Sequence, residues 1–348
     1  MARRIQVLVA DDSAALREAV CALLREEPDI HVAGRARNGR EAVELAKSLR
    51  PDVITMDIQM PELGGLEAIG EIMAAAPARI LVVSSLGGAE VDLSLRAIAA
   101  GALEVIAKPE GGGEQELRAW GRMLAESIRL MSEIPVVSRR RSARRVIPVS
   151  RPGPMSVAAI ALAASTGGPP ALAEIVRALP AGFPATILIA QHISAGFTKG
   201  LVRWLSGVSK VPVQEARSGE KCLPGRVYLP PDGCNLALGR DRSVETPRCG
   251  GGSCPSADLL LSSVAKAYGR RSAGVVLTGM GEDGARGLLA IRQAGGATLA
   301  QDETSSVVFG MPKAAVRLGA TMTMLALADI GPHLVNLSPQ GLSHGEAP

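Results

Sequence analysis

Short apolar runs alternate with stretches in which apolar residues recur every three or four positions. The runs read as buried strands and the intervening stretches as amphipathic helices. From the N-terminus this pattern predicts strands at 6–10, 30–35, 53–56, 80–83 and 103–106, and helices at 14–27, 40–49, 66–75, 91–100 and 114–131. Five strand–helix units in succession predict a parallel sheet covered on both faces, with ligands at the carboxyl ends of its strands. The rhythm stops at 131–155, where Ser138-Arg139-Arg140-Arg141-Ser142-Ala143-Arg144-Arg145 is followed by Pro148, Arg151, Pro152 and Pro154. It resumes with strands at 157–163, 185–190, 211–215, 274–277 and 297–300, and helices at 169–179, 255–268 and 285–293. Residues 226–229 and 235–238, either side of Pro230-Pro231-Asp232-Gly233, read as a hairpin. The fold class is therefore α/β, with two doubly wound parallel-sheet domains at 1–130 and 156–340 and a basic, proline-containing linker at 131–155 between them.

Composition changes the picture in a few respects. The 348 residues exceed one compact core, which agrees with two domains. Aromatic residues make up 2% of the chain and hydrophobic residues 47%, so both cores must be aliphatic. A net charge of +4 is too mild to argue for nucleic acid, and the arginine run has no interleaved aromatics, so it reads as a solvated tether extended by proline and self-repulsion. No apolar run is long enough to span a bilayer, and Asp11-Asp12 follow the N-terminal arginines too closely for a signal peptide. These features predict a cytoplasmic chain with no direct membrane insertion. Five cysteines, an odd number, predict free thiols; Cys249 and Cys254 lack zinc-type spacing and a nearby histidine.

The polar residues fall where the parallel-sheet architecture puts ligands. In the first domain Asp11 and Asp12 end the first strand, Asp57 the third, Ser84 the fourth and Lys108 the fifth. Three converging carboxylates repel one another, so a divalent cation is expected among them, and an all-oxygen donor set suits Mg²⁺. A carboxylate left free to attack phosphorus would form an acyl phosphate, with Ser84 and Lys108 holding the phosphoryl oxygens. In the second domain Ala164-Ser165-Thr166-Gly167-Gly168 turns a strand into a helix that has proline in its first turn. On its own this stretch reads first as an ordinary turn capped by a hydroxyl. Two other strand ends carry His192 and Asp283, and a serine nucleophile needs a base whose tautomer is fixed by a carboxylate. Gly279-Met280-Gly281-Glu282-Asp283-Gly284 also matches a dinucleotide fingerprint, with Asp302 near the ribose-binding distance. Glu282 and Asp283 would place negative charge against a pyrophosphate, so hydrolysis ranks above NAD binding.

The first constellation, Asp11-Asp12, Asp57, Met60-Pro61, Gly65, Ser84 and Lys108-Pro109, resembles the receiver domain of bacterial response regulators, a flavodoxin-like fold. The resemblance implies that Asp57 accepts a phosphoryl group from a histidine kinase, and that Asp12, Asp57 and the carbonyl of Gln59 bind Mg²⁺. Val105 stands where receivers usually carry an aromatic switch residue. The second domain resembles the Rossmann-like catalytic domain of the chemotaxis methylesterases, the CheB family. The matching stretches are Ala164 to Gly168, Gln191-His192, Gly196-Phe197-Thr198, Leu277 to Gly281, Asp283-Gly284, Gln301-Asp302 and Gly310-Met311-Pro312. This implies Ser165 as nucleophile, His192 as base, Asp283 as orienting carboxylate and the Met280 N–H in the oxyanion hole, with no cofactor for ester hydrolysis. The implied substrate is methyl-esterified glutamate on cytoplasmic helices of methyl-accepting chemoreceptors, with glutamine deamidation as a related activity. It also implies that the unmodified receiver obstructs the catalytic face and that phosphorylation relieves the block. Two stretches depart from the family: Ile193-Ser194-Ala195 replaces a proline-containing segment, and Cys254 stands where an arginine is usual before Pro255-Ser256-Ala257-Asp258. The alternative reading is a response regulator whose second domain is a non-catalytic partner-binding module.

Overall fold

The alternation of apolar runs and amphipathic stretches folds as two separate parallel sheets in the computed structural model, which describes residues 3–109, 111, 113–134, 156–250 and 253–338. The chain divides into two units, 1–141 and 142–348. Most of the linker predicted at 131–155, including its arginines, lies outside the described residues.

The N-terminal unit runs β1 (Ile5–Ala10), α1 (Ala14–Arg25), β2 (Ile30–Ala36), α2 (Gly39–Leu49), β3 (Val53–Met56), α3 (Gly65–Ala75), β4 (Arg79–Ser84), α4 (Gly88–Ala100), β5 (Glu104–Ala107) and α5 (Glu114–Ser132). Its strands are parallel in the order β2-β1-β3-β4-β5. All four residues of β3 are buried, as a strand covered on both faces requires. Ser13 and Asn38 start α1 and α2 by accepting the N–H of Leu16 and Glu41, which fixes the first turn of each helix. The strand order reverses between β1 and β3, and that switch point opens a crevice at their carboxyl ends. Asp11 and Asp57 follow directly on those two strands.

The C-terminal unit runs β6 (Ala159–Ala164), α6 (Gly168–Ala178), β7 (Thr186–Gln191), α7 (Thr198–Val208), β8 (Val213–Glu215), β9 (Val227–Leu229), β10 (Ala237–Leu238), β11 (Val244–Glu245), α8 (Ala257–Tyr268), β12 (Ser272–Val276), α9 (Ala285–Gln293), β13 (Ala297–Gln301), α10 (Met311–Arg317), β14 (Thr323–Leu325) and α11 (Leu327–Leu337). Seven strands form a parallel sheet in the order β14-β13-β12-β6-β7-β9-β8. Every residue of β6 and β7 is buried. Ala159, Ala161 and Ala163 on β6 pack with Leu260, Leu261 and Val264 on α8 and with Leu288 and Ile291 on α9. The core is aliphatic, as the scarcity of aromatics demands. Here the switch point lies between β6 and β12, beneath Ser165 and the turn at 278–284.

Two expectations are corrected. Residues 226–229 and 235–238 do not form a hairpin. β9 has a parallel neighbour on each edge, β7 and β8, so no edge remains for an antiparallel return, and β10 pairs with β11 instead. Cys249 and Cys254 are not free thiols: their Cα atoms lie 5.9 Å apart, and they form a disulfide. Cys21, Cys222 and Cys234 are free.

Candidate active site

The register of the C-terminal sheet brings the predicted nucleophile and base together. Ala164 on β6 is paired with Gln191 on β7, and the His192 N–H donates to the Ala164 carbonyl at 2.9 Å. Ser165 and His192 are thus the first residues past the ends of two adjacent strands. Gln191 ties the two ends: its side-chain amide donates to the carbonyls of Ser165 (2.9 Å) and His192 (2.7 Å). His192 Nε2 lies 2.9 Å from Asp283 Oδ2, and both side chains are largely buried. The carboxylate accepts at that position, so Nε2 carries the proton and Nδ1 is the nitrogen left to act as base.

Asp283 is held from its other side by a helix N-terminus. Its Oδ2 accepts the Ala257 N–H at 2.8 Å and its Oδ1 accepts the Asp258 N–H at 2.9 Å, at the start of α8. Burial alone would push this carboxyl up. The His192 imidazole and the N–H groups of Asp258 and Ala257 outweigh burial and hold it below the usual carboxylate range. Asp283 is therefore ionised at neutral pH and able to stabilise an imidazolium.

The opposite wall comes from the turn after β12. The Ser165 N–H donates to the Thr278 carbonyl at 3.0 Å, and Thr278 Oγ1 donates to the Thr166 carbonyl at 2.9 Å. Gln301 Oε1 accepts the Thr278 N–H at 2.8 Å. Gly279 lies directly against the nucleophile, where a Cβ would sit 2.6 Å from Ser165 Cβ. Gly167, the residue before α6, has φ +76°, a conformation that favours glycine. Among the described residues the Met280 N–H donates to no protein acceptor, which leaves it available to an oxyanion. Gly279→Ala is expected to shift Ser165 and lower kcat by about 100-fold, the scale of a 1 Å misplacement. Circular dichroism should remain native, and unchanged turnover would show that the contact is dispensable.

In the N-terminal unit Lys108 Nζ lies 2.8 Å from Asp57 Oδ2 and 3.3 Å from Asp11 Oδ2. Asp57 Oδ1 accepts the N–H of Ile58, and Asp11 Oδ1 that of Ser13. Ser84 is fully buried at the end of β4. Trp120 on α5 donates its indole N–H to the carbonyl of Ala107, beside Lys108. Burial lifts the Asp57 carboxyl to about 6 against the opposing hydrogen bond and charge of Lys108, with Asp11 adding to the rise. Asp11 is raised too, again chiefly by burial. Burial would lower the Lys108 pKa, but Asp57 and Asp11 together raise it. Asp11, Asp12 and Asp57 each offer a carboxylate oxygen within 4.8 Å of the others. That donor set fits a hard divalent cation such as Mg²⁺. Gln59 is exposed two residues beyond Asp57.

The raised Asp57 gives a pH prediction. The folded chain binds this proton more tightly than the unfolded chain, so this group's contribution to stability falls as pH rises from about 4 to about 6 and stays low above that. A divalent cation such as Mg²⁺ held by these carboxylates would favour the charged form and offset the loss. Calorimetry should show Mg²⁺ raising the receiver transition more at pH 7.5 than at pH 5, and Asp57→Asn should abolish most of that difference. An equal shift at both pH values would contradict the assignment.

The response regulator receiver profile matches residues 7–119 and the CheB methylesterase profile residues 160–334. A protein-glutamate methylesterase/protein-glutamine glutaminase 3 of Myxococcus xanthus (strain DK1622) is 54% identical over 334 residues, covering 96% of this chain and 93% of that relative. The chain belongs to the CheB methylesterase family. A second Myxococcus xanthus relative, protein-glutamate methylesterase/protein-glutamine glutaminase 4, is 42% identical and covers 95% of this chain and 96% of its own. The crystal structure of the Thermotoga maritima CheB methylesterase catalytic domain matches with a TM-score of 0.50 and 35% identity, covering 53% of this chain and all of that one.

Cys254 is tied to Cys249 and leads through Pro255 and the N-cap Ser256 into α8. Ile193 and Ala195 line an apolar hollow with Leu201, Leu229, Pro231 and Pro255 beside the base. Sequence reasoning gave no role to Asp232 in the expected hairpin turn. Its Oδ1 accepts the N–H groups of Gly196 and Thr198, securing the loop between His192 and α7. The dinucleotide fingerprint does lie between β12 and α9. However, the N–H groups of Gly284 and Gly287, which would cradle a phosphate, already donate to Asp258. No helix among the described residues is long and apolar enough to cross a membrane.

Proposed function

We propose that this CheB-family chain hydrolyses methyl esters of glutamate side chains on cytoplasmic helices of a methyl-accepting chemoreceptor, acting in the cytoplasm. The same site would deamidate receptor glutamine. The observation that carries this reading is the 2.9 Å contact between His192 Nε2 and Asp283 Oδ2, with Ser165 beside His192 on the neighbouring strand. It supports an enzyme over a partner-binding module.

In this mechanism Ser165 Oγ attacks the ester carbonyl carbon while His192 Nδ1 takes the hydroxyl proton. Asp283 stabilises the imidazolium through Nε2–H. The Met280 N–H donates to the developing oxyanion. The C–O bond to the methoxy group breaks, and methanol leaves with the proton from His192. Water, deprotonated at Nδ1, then cleaves the acyl-serine and frees the glutamate carboxylate. With glutamine, ammonia leaves in place of methanol. The steps need no cofactor.

Control would come from the receiver. An Asp57 oxygen takes a phosphoryl group from a histidine kinase, and Ser84 and Lys108 hold its oxygens. Asp12, Asp57 and the Gln59 carbonyl, with Asp11 nearby, would hold Mg²⁺, which supplies charge neutralisation during transfer. The test is methanol release from a methylated receptor cytoplasmic fragment. Release by the chain supports the reading, and none, with or without phosphodonor, overturns it.

A further inference from the structure

Two helices meet N-terminus to N-terminus beside His192, and each supplies or receives a carboxylate across the junction. Asp283, in the turn before α9, accepts the N–H groups of Ala257 and Asp258 at the start of α8. Asp258, in the first turn of α8, returns the contact. Its Oδ1 accepts the N–H of Gly284 at 2.9 Å and of Gly287 at 2.7 Å at the start of α9. The helices approach closely here: a Cβ on Gly287 would lie 2.6 Å from Leu261 Cβ and 2.7 Å from the Asp258 carbonyl oxygen. Each aspartate thus satisfies N–H groups the other helix leaves open, and favours the positive end of its dipole. The remaining partner of Asp258, Arg286, is 3.9 Å away and exposed, so that pair contributes little.

We infer that Asp258 is a positioning residue for Asp283: by holding Gly284, the residue directly after Asp283, it fixes the carboxylate that orients His192. Its role is exerted through Asp283 and not on the reacting atoms. The inference rests on the Ser165–His192–Asp283 reading. A single oxygen of Asp258 accepts both N–H groups, so an amide oxygen at the same place can do so too. Asparagine keeps the acceptor and alanine removes it.

The experiment is steady-state methanol release from a methylated receptor fragment by full-length variants, each checked by circular dichroism. Asp258→Ala is expected to lower kcat by about 10- to 100-fold with KM little changed, and Asp258→Asn to restore most of the loss. In an Asp283→Ala background, Asp258→Ala should cost nothing further, since it acts through the missing group. If Asp258→Ala does not fold, Asp258→Glu takes its place, keeping the charge but moving the acceptor by one methylene; it too should lose kcat. Wild-type kcat in the folded variant, or losses that multiply in the double variant, overturns the inference. Ser165→Ala separates the two levels: turnover surviving there removes the triad and this inference together, whereas a dead Ser165→Ala beside a fully active Asp258→Ala overturns the inference alone.

Discussion

Ser165→Ala is expected to lower methanol release from a methylated receptor by about 10⁴- to 10⁶-fold with the fold intact. The nucleophile follows β6 directly and is braced by the Thr278 carbonyl and the Gln191 amide. Water can still enter, and the Met280 N–H and substrate contacts remain, so a residual rate persists. His192→Ala should cost a similar factor, because without the base at Nδ1 the hydroxyl stays protonated. The double variant should be no slower than either single one, since nucleophile and base act as a unit. Near wild-type turnover in Ser165→Ala would remove the covalent mechanism.

A small-molecule phosphodonor with Mg²⁺ is expected to activate the wild-type chain and leave Asp57→Ala at its basal rate. Asp57 is nearly buried and paired with Lys108. Phosphorylation extends Asp57 with a phosphoryl group, which adds negative charge and three acceptor oxygens at this point. Lys108 would then re-pair with the new oxygens, and the buried Ser84 hydroxyl at the end of β4 would donate to them. That re-pairing is expected to bias the loops after β4 and β5 toward a second arrangement. Each 1.4 kcal/mol by which that bias favours the active state is about a tenfold change in the balance. A chain beginning at Ser156 should be active without phosphodonor and faster than the unphosphorylated full-length chain. If it is no faster, the receiver does not restrain the enzyme and acts by recruiting it to substrate.

The strand ends were legible because parallel sheets leave few places for polar groups. Asp11, Asp57, Ser84 and Lys108 each follow or end an apolar run, and so do Ser165 and His192. The pairings among them came from sheet order, which periodicity does not encode: that β12 lies beside β6, bringing Gly279 against Ser165, is a long-range fact. Elements with weak local signals escaped the pattern. α7 follows Phe197, which supplies no side-chain cap, and α11 contains Gly331-Pro332, which reads as a break. There Gly331 allows close approach to α6, where a Cβ would lie 2.6 Å from that of Ala178. The Cys249–Cys254 closure was hidden because spacing alone does not tell whether a loop turns back on itself. Asp232 falls in an expected turn and Asp258 near the start of an expected helix, and their partners lie far away in sequence.

The crossed carboxylates at the start of α8 and α9 carry a consequence for how copies of such a gene diverge. In the proposed mechanism Asp283 serves the chemistry and the helix junction at once, while Ser165 and His192 serve mainly the chemistry. After duplication, a copy released from catalysis loses nothing structural when Ser165 changes, yet loses a helix cap when Asp283 does, at about 1 kcal/mol or more. Drift toward a silent binding partner should therefore erase the serine or histidine first and leave the aspartate standing. A lone Asp283 in an otherwise emptied site would be the residue of architecture rather than of activity.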